Sequence, residues 1–232
     1  MITNIIKFIL IFALTNLYLN AKETVVLLHG LGRGNMSMWL IASRLEDANF
    51  NVVRVGYSSL NETPDEILKN ITKQINICCS KKEEKVNLVG HSLGGLLIRA
   101  YLEKNKIKNL GRVVLMGTPN HGTELVDKYK DKCWMKWAGP TALKLGTDSK
   151  SFPQSLKAPY YPVGIIAGVL LDGDEVYSIL SDNNDGMVSV ESTKLDGMSD
   201  FIKIETSHSA MRYNKEVASQ TISFLRNGKF MR

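Results

Sequence analysis

The residues best placed to do chemistry lie in Gly90-His91-Ser92-Leu93-Gly94. An apolar run, Val86-Asn87-Leu88-Val89, precedes them, and Leu96 to Leu102 follows with apolar residues at helical spacing. A serine between strand and helix in a G-x-S-x-G pattern must occupy a strained turn, its hydroxyl pointing clear of both elements. Side chains two residues before and two after would collide there, so Gly90 and Gly94 remove them. A serine at a helix N-terminus also has free N–H groups and a positive dipole end beside it, which favour a nearby oxyanion. Ser92 is therefore read as a nucleophile. A serine hydroxyl is a poor one unaided and needs a general base, usually a histidine oriented by a carboxylate.

The chain has four histidines. Where a strand-turn-helix serine works on a parallel sheet, the partners follow it in the order acid, then histidine. His29 and His91 precede Ser92, and His121 comes before any suitable acid loop. His208, in Thr206-Ser207-His208-Ser209-Ala210, stands directly after the last strand and is left as the base. Asp185 in Asn183-Asn184-Asp185-Gly186 is the preferred acid, because it follows the preceding strand and a glycine makes the turn tight. Asp172, Asp174 and Asp182 share that loop and compete with it. The oxyanion hole should use the backbone N–H of Leu93 and a second N–H from the loop after the first strand, at Leu31. Gly30, Gly32 and Gly34 would let that loop approach a substrate closely. No Cys/His cluster has metal-ligand spacing and no glycine loop precedes a Lys-Ser/Thr pair, so neither metal nor cofactor is expected.

The elements that must position these groups alternate. Glu23–Leu28, Asn51–Tyr57, Gly111–Met116, Tyr161–Gly168 and Asp200–Glu205 read as strands, together with the run before Ser92. Helices are expected over Met36–Asp47, capped by Asn35 or Ser37, over Pro64 to about Cys79, after Ser92, and over Asn214–Arg226. In the first of these, Met38, Trp39, Ile41, Ala42 and Leu45 have the spacing of a core face. Strand–helix alternation at these lengths predicts a parallel sheet with helices on both faces. The alternation breaks at 120–160, where Trp134, Met135 and Trp137 sit among lysines and prolines. That stretch reads as a partly helical insertion over the top of the sheet, either a lid that meets lipid or a packed sub-core.

Leu28-His29-Gly30-Leu31-Gly32, Gly90-His91-Ser92-Leu93-Gly94-Gly95, Gly117-Thr118-Pro119-Asn120-His121-Gly122 and Asn184-Asp185-Gly186-Met187-Val188 resemble the α/β-hydrolase superfamily. Within it they are most similar to the secreted bacterial triacylglycerol lipases and their small esterase relatives. The resemblance implies an α/β-hydrolase fold, a mostly parallel sheet of about six strands with a short cap. It also implies hydrolysis of carboxylic esters through Ser92, Asp185 and His208. The larger lipases of that group carry a calcium-binding aspartate shortly after the catalytic histidine. Here Ser209, Ala210 and Met211 follow, so calcium is not expected.

A chain of 232 residues suits one domain, and 44% hydrophobic with 22% charged residues excludes disorder and fibres. Residues 1–21 carry one lysine, an apolar run from Phe8 to Leu14 and a small residue, Ala21, at the end. This has the pattern of an export signal cleaved after Ala21, with a retained membrane anchor as the alternative, leaving residues 22–232 as the hydrolase domain. The net charge of +6 is spread among interspersed acids and bases, which argues against a nucleic-acid partner. A small-molecule or lipid ester substrate is expected; the mild positive charge is read first as serving solubility, with adsorption to an anionic lipid surface as the alternative. Cys78, Cys79 and Cys133 are too few for a disulfide scaffold; Cys133 pairing with one neighbour or three reduced thiols are both open. The triad alone does not separate an esterase from an acyltransferase, amidase or phospholipase, and a non-catalytic binder would have no need of all three residues.

Overall fold

A computed structural model describes residues 22–79, 84–170, 179–180 and 183–232. The expected signal segment at 1–21 and the competing acids Asp172, Asp174 and Asp182 lie outside the described residues.

Six strands form one sheet: β1 (Thr24–Leu28), β2 (Asn51–Val55), β3 (Val86–His91), β4 (Leu110–Met116), β5 (Val163–Val169) and β6 (Asp200–Glu205). Their order is β2-β1-β3-β4-β5-β6, and every pairing is parallel. Both faces of the central strands are covered, which explains their nearly unbroken apolar sequences. Successive residues of β1 point to opposite sides: Val26 and Leu28 join one core, Val25 and Leu27 the other. On the first side pack α2 (Pro64–Cys78) and α3 (Leu93–Lys104), with Ile67, Ile71, Leu96 and Leu97 fully buried. On the second pack α1 (Trp39–Asp47) and α7 (Lys215–Asn227), through Ile41, Leu45, Val217 and Phe224. Each such side chain contributes about 1.5–3 kcal/mol on leaving water, so the two cores hold the sheet rigid. Because β1 and β3 are neighbours while β2 lies outside them, the carboxyl ends of β1 and β3 flank a topological switch point.

The helix starts follow local chemistry. Thr63 and Glu66 make a reciprocal capping box before Pro64, and Asn214 caps α7 by accepting from the N–H groups of Glu216 and Val217. The first helix departs from expectation. Asn35–Met38 is a 3-10 turn and the α-helix begins only at Trp39, without a side-chain cap; the Ser37 hydroxyl donates to the Gly34 carbonyl instead. The tighter turn rotates the register, so Met38 is fully buried while Trp39 is half exposed rather than in the core. Strand β2 stops at Val55 and releases Tyr57 toward the site.

The segment between β4 and β5 carries α4 (Glu124–Tyr129), a 3-10 helix (Cys133–Ala138) and α5 (Gly139–Ala142). It is tied to the body by Arg99 of α3, a buried guanidinium. Its Nη1 donates to the carbonyl and side-chain oxygens of Asn120 at 3.2 and 3.1 Å, and its Nη2 to the carbonyl of Leu156 at 2.9 Å. Asn120 in turn donates to the carbonyl of Thr193, at the end of α6 (Val190–Thr193). All three cysteines are free thiols, and exposed Cys133 pairs with neither of the others; Cys78 and Cys79 face each other at 2.9 Å between sulfurs. Among the described residues no helix is long and apolar enough to cross a membrane.

Candidate active site

The turn between β3 and α3 puts Ser92 at φ 54°, ψ −123°, a left-handed backbone that a β-carbon-bearing residue adopts only under strain. Helix α3 crosses so close to β1 that a Cβ on Gly94 would run into the backbone of Leu28 and His29. Gly94 thus lets the helix N-terminus press against the sheet edge, and that contact holds the strained serine in place.

The loop after β5 and the turn after β6 deliver the partners. His208 Nε2 lies 2.9 Å from Ser92 Oγ, and His208 Nδ1 lies 2.7 Å from Asp185 Oδ2. The second carboxylate oxygen of Asp185 accepts the backbone N–H groups of Met187 (2.9 Å) and Val188 (2.8 Å). With Oδ1 occupied by two donors, Oδ2 accepts from Nδ1–H, and Nε2 is left unprotonated toward the serine. The two residues are also joined through the main chain, where the His208 N–H donates to the Asp185 carbonyl at 2.8 Å. Asp185 is buried and His208 nearly so, so little water competes for these bonds. Gly117, at the end of β4, has φ 54° and lies under the pair; a Cβ there would approach Asp185 Oδ2 to 3.0 Å and His208 Nδ1 to 3.2 Å. Leu93 opens α3 beside Ser92, and Leu31 lines the cleft. His121 is on the surface, away from this group.

Two further histidines brace the site, a role that sequence reasoning did not assign. His91 Nε2 donates to the carbonyl of His208 at 2.8 Å, and the two rings lie 4.9 Å apart. His29 stacks on Tyr57 with ring centroids 3.9 Å apart, and the Tyr57 hydroxyl donates to the His29 carbonyl. The Gly32 N–H donates to Ser59 Oγ at 2.9 Å, so the loop carrying Leu31 is fastened at both ends. Their signal was present only as position, since each flanks a glycine of a recognised motif. Contacts spanning 117 and 28 residues are not legible locally.

Burial pushes the His91 imidazole well below its usual 6.5, with the positive potential of His208 adding to the effect, and burial lowers His29 as well. Below pH 6.5 the unfolded chain therefore binds protons at these positions that the folded chain refuses. Stability is fully present above that pH and is lost as pH falls toward the folded values, by about 1.4 kcal/mol per unit for His91 alone. Urea midpoints measured from pH 7 to 5 should fall steadily, and His91→Asn should flatten part of that slope.

Beside Ser92 opens a cleft of about 510 Å³. Leu125, Val126, Tyr129, Trp134 and Met135 of the insertion form its wall, and Val188 closes the side near Asp185. Among the described residues no group of His, Cys, Asp and Glu is placed to hold a metal ion.

The family model for palmitoyl protein thioesterase matches residues 24–161, more than half of the chain and all of the stretch from β1 to the approach to β5. The chain belongs to the palmitoyl protein thioesterase family. That match includes Ser92 and ends before Asp185 and His208. No curated protein matches by sequence. Among solved structures, the mature form of Bacillus licheniformis lipase BlEst2 superposes with a TM-score of 0.74 at 19% identity, covering 90% of this chain and 92% of that one. The metagenomic carboxyl esterase MGS0156 gives 0.63 at 15% identity, covering 82% and 66%. Phospholipase PlaB from Legionella pneumophila gives 0.59 at 19% identity, covering 75% and 46%. This thioesterase-family chain is thus an ester-hydrolysing enzyme with the α/β-hydrolase fold.

Proposed function

We propose that this protein hydrolyses acyl esters with an apolar acyl chain through an acyl-serine intermediate, with residues 22–232 acting as one catalytic domain capped by the segment near 120–160. The observation that carries this reading is the unbroken line Asp185–His208–Ser92, opening onto the apolar cleft. Ser92 Oγ attacks the acyl carbonyl while its proton passes to His208 Nε2. The carbonyl π electrons move onto oxygen, where the N–H groups of Leu93 and Leu31 receive the charge. Collapse of the tetrahedral species expels the leaving alcohol or thiol, which takes the proton from His208. Water then attacks the acyl-serine with His208 again accepting a proton, and Ser92 is regenerated as the acid departs. Asp185 keeps the His208 tautomer fixed through both halves. A cleft of about 510 Å³ falls within the ordinary range for small-ligand sites and seats the acyl portion against Val126, Tyr129 and Met135.

Family membership favours a thioester over an oxygen ester, a bond the sequence reading did not weigh. An S-acyl and an O-acyl substrate sharing one acyl chain decide between them. A fluorophosphonate probe, followed by peptide mapping, tests the site itself. Labelling at Ser92 with turnover that rises with acyl length supports the reading; labelling elsewhere, or a labelled enzyme that cleaves neither substrate, overturns it. Export through residues 1–21 is part of the same proposal and is checked by N-terminal sequencing of the mature chain.

A further inference from the structure

The short 3-10 helix Cys133–Ala138 has two unlike ridges. Side chains three apart eclipse in this helix type, so Met135 and Ala138 share one ridge and Trp134 and Trp137 the other. The first ridge turns inward, where Met135 is buried and both residues line the cleft. The second leaves Trp137 85% exposed, while Trp134 is half exposed at the cleft rim, lining the cleft and packing on the Tyr129 ring with centroids 5.4 Å apart. Met187, on the facing rim of the cleft, is 47% exposed as well. The outward Trp137 and the exposed half of Trp134 cost solvation unless something covers them. Lys128, Lys130, Lys132 and Lys136 flank them in sequence and are all exposed, against the single acid Asp131 in residues 128–137; the Lys128 ammonium lies over the Tyr129 ring, 5.7 Å from its centroid. Among the described residues none of these lysines is in an ion pair. Exposed Arg33 adds a further cation at the cleft mouth.

We infer that this ridge docks the enzyme onto an anionic lipid bilayer, with Trp137 and Trp134 entering the headgroup layer and the four lysines held against its negative surface. An indole is apolar in body and polar at its N–H, which suits the boundary between headgroups and acyl chains. Lysine stems lie along apolar surface while their ammonium groups reach phosphate, and each adds favourable energy within a Debye length. The docked orientation sets the cleft mouth against the bilayer, so an acyl group reaches Ser92 without crossing water. This deepens the acyl-ester reading, but vesicle binding is measured without turnover, so the two fail separately.

The test is co-sedimentation of the full-length chain with phosphatidylcholine vesicles, alone or mixed with phosphatidylserine. Because the apolar segment at 1–21 is common to every variant, differences between variants report the ridge. Phosphatidylserine should raise partitioning by about tenfold or more at low salt, and added salt should reverse the gain. The K128Q/K130Q/K132Q/K136Q variant should lose that gain, and Trp137→Ala should lower partitioning about tenfold. Both variants should cleave a soluble short-chain ester at the wild-type rate, which establishes that they are folded. Equal partitioning onto both vesicle types, or variants that bind as the wild type does, overturns the inference. A Trp137→Ala change that converts a sedimenting dimer to monomer while leaving vesicle binding intact assigns the ridge to a second copy of the chain and also overturns it.

Discussion

Ser92→Ala should lower kcat/KM for an acyl ester by about 10⁵-fold, with nearly all of the loss in kcat. The hydroxyl lies 2.9 Å from His208 Nε2, so its removal would leave the proposed base no hydroxyl there to activate for covalent attack. The cleft walls are untouched, so KM should stay close to the wild-type value. Residual turnover over the uncatalysed reaction should persist if, as proposed, the Leu31 and Leu93 N–H groups receive the substrate carbonyl oxygen. The melting temperature should change little: alanine must take up the same φ of 54°, and the backbone strain is kept. Single-turnover kinetics with an activated ester reads the loss directly. A burst of product from the variant equal to that of the wild type would place the nucleophile elsewhere.

Asp185→Asn should cost about 10⁴-fold in kcat while keeping the fold. The amide is isosteric, and its oxygen can still accept the N–H groups of Met187 and Val188. That leaves the NH₂ group facing His208 Nδ1. Two donors cannot share that contact, so the imidazole shifts its proton to Nε2 and can no longer accept from Ser92. Fluorophosphonate labelling should slow by a comparable factor but still occur at Ser92. A variant with undiminished kcat would mean that another carboxylate orients His208.

Much of the candidate site's geometry was legible because its steric requirements are local. The spacing Gly90-x-Ser92-x-Gly94 states a steric requirement within five residues, and the structure meets it with a left-handed Ser92 and a helix pressed on β1. Chain order then leaves His208 as the histidine that follows the last strand, and the glycine after Asp185 marks the tight turn that brings its carboxylate back toward the sheet. The central strands were legible as apolar runs because a parallel sheet covered on both faces has no polar side to interrupt them.

Other features had no local signature. Trp39 has core spacing on a simple helix, yet the 3-10 turn before it rotates the indole into solvent. His91 and His29 looked like motif flanks, whereas both are buried braces whose partners are far along the chain. The division of the 133–138 helix into a buried ridge at Met135 and a more exposed one at Trp134 and Trp137 depends on a three-residue period over six residues, too short to read against a helical background. The sequence by itself determined the α/β architecture and singled out Ser92, Asp185 and His208 as candidates, because those rest on steric rules, chain order and burial patterns within a few residues. Tertiary structure alone decided the cleft, the tautomer of His208 and the neutral braces behind it. Each of those depends on which groups lose water together, and that follows only from packing distant segments against one another.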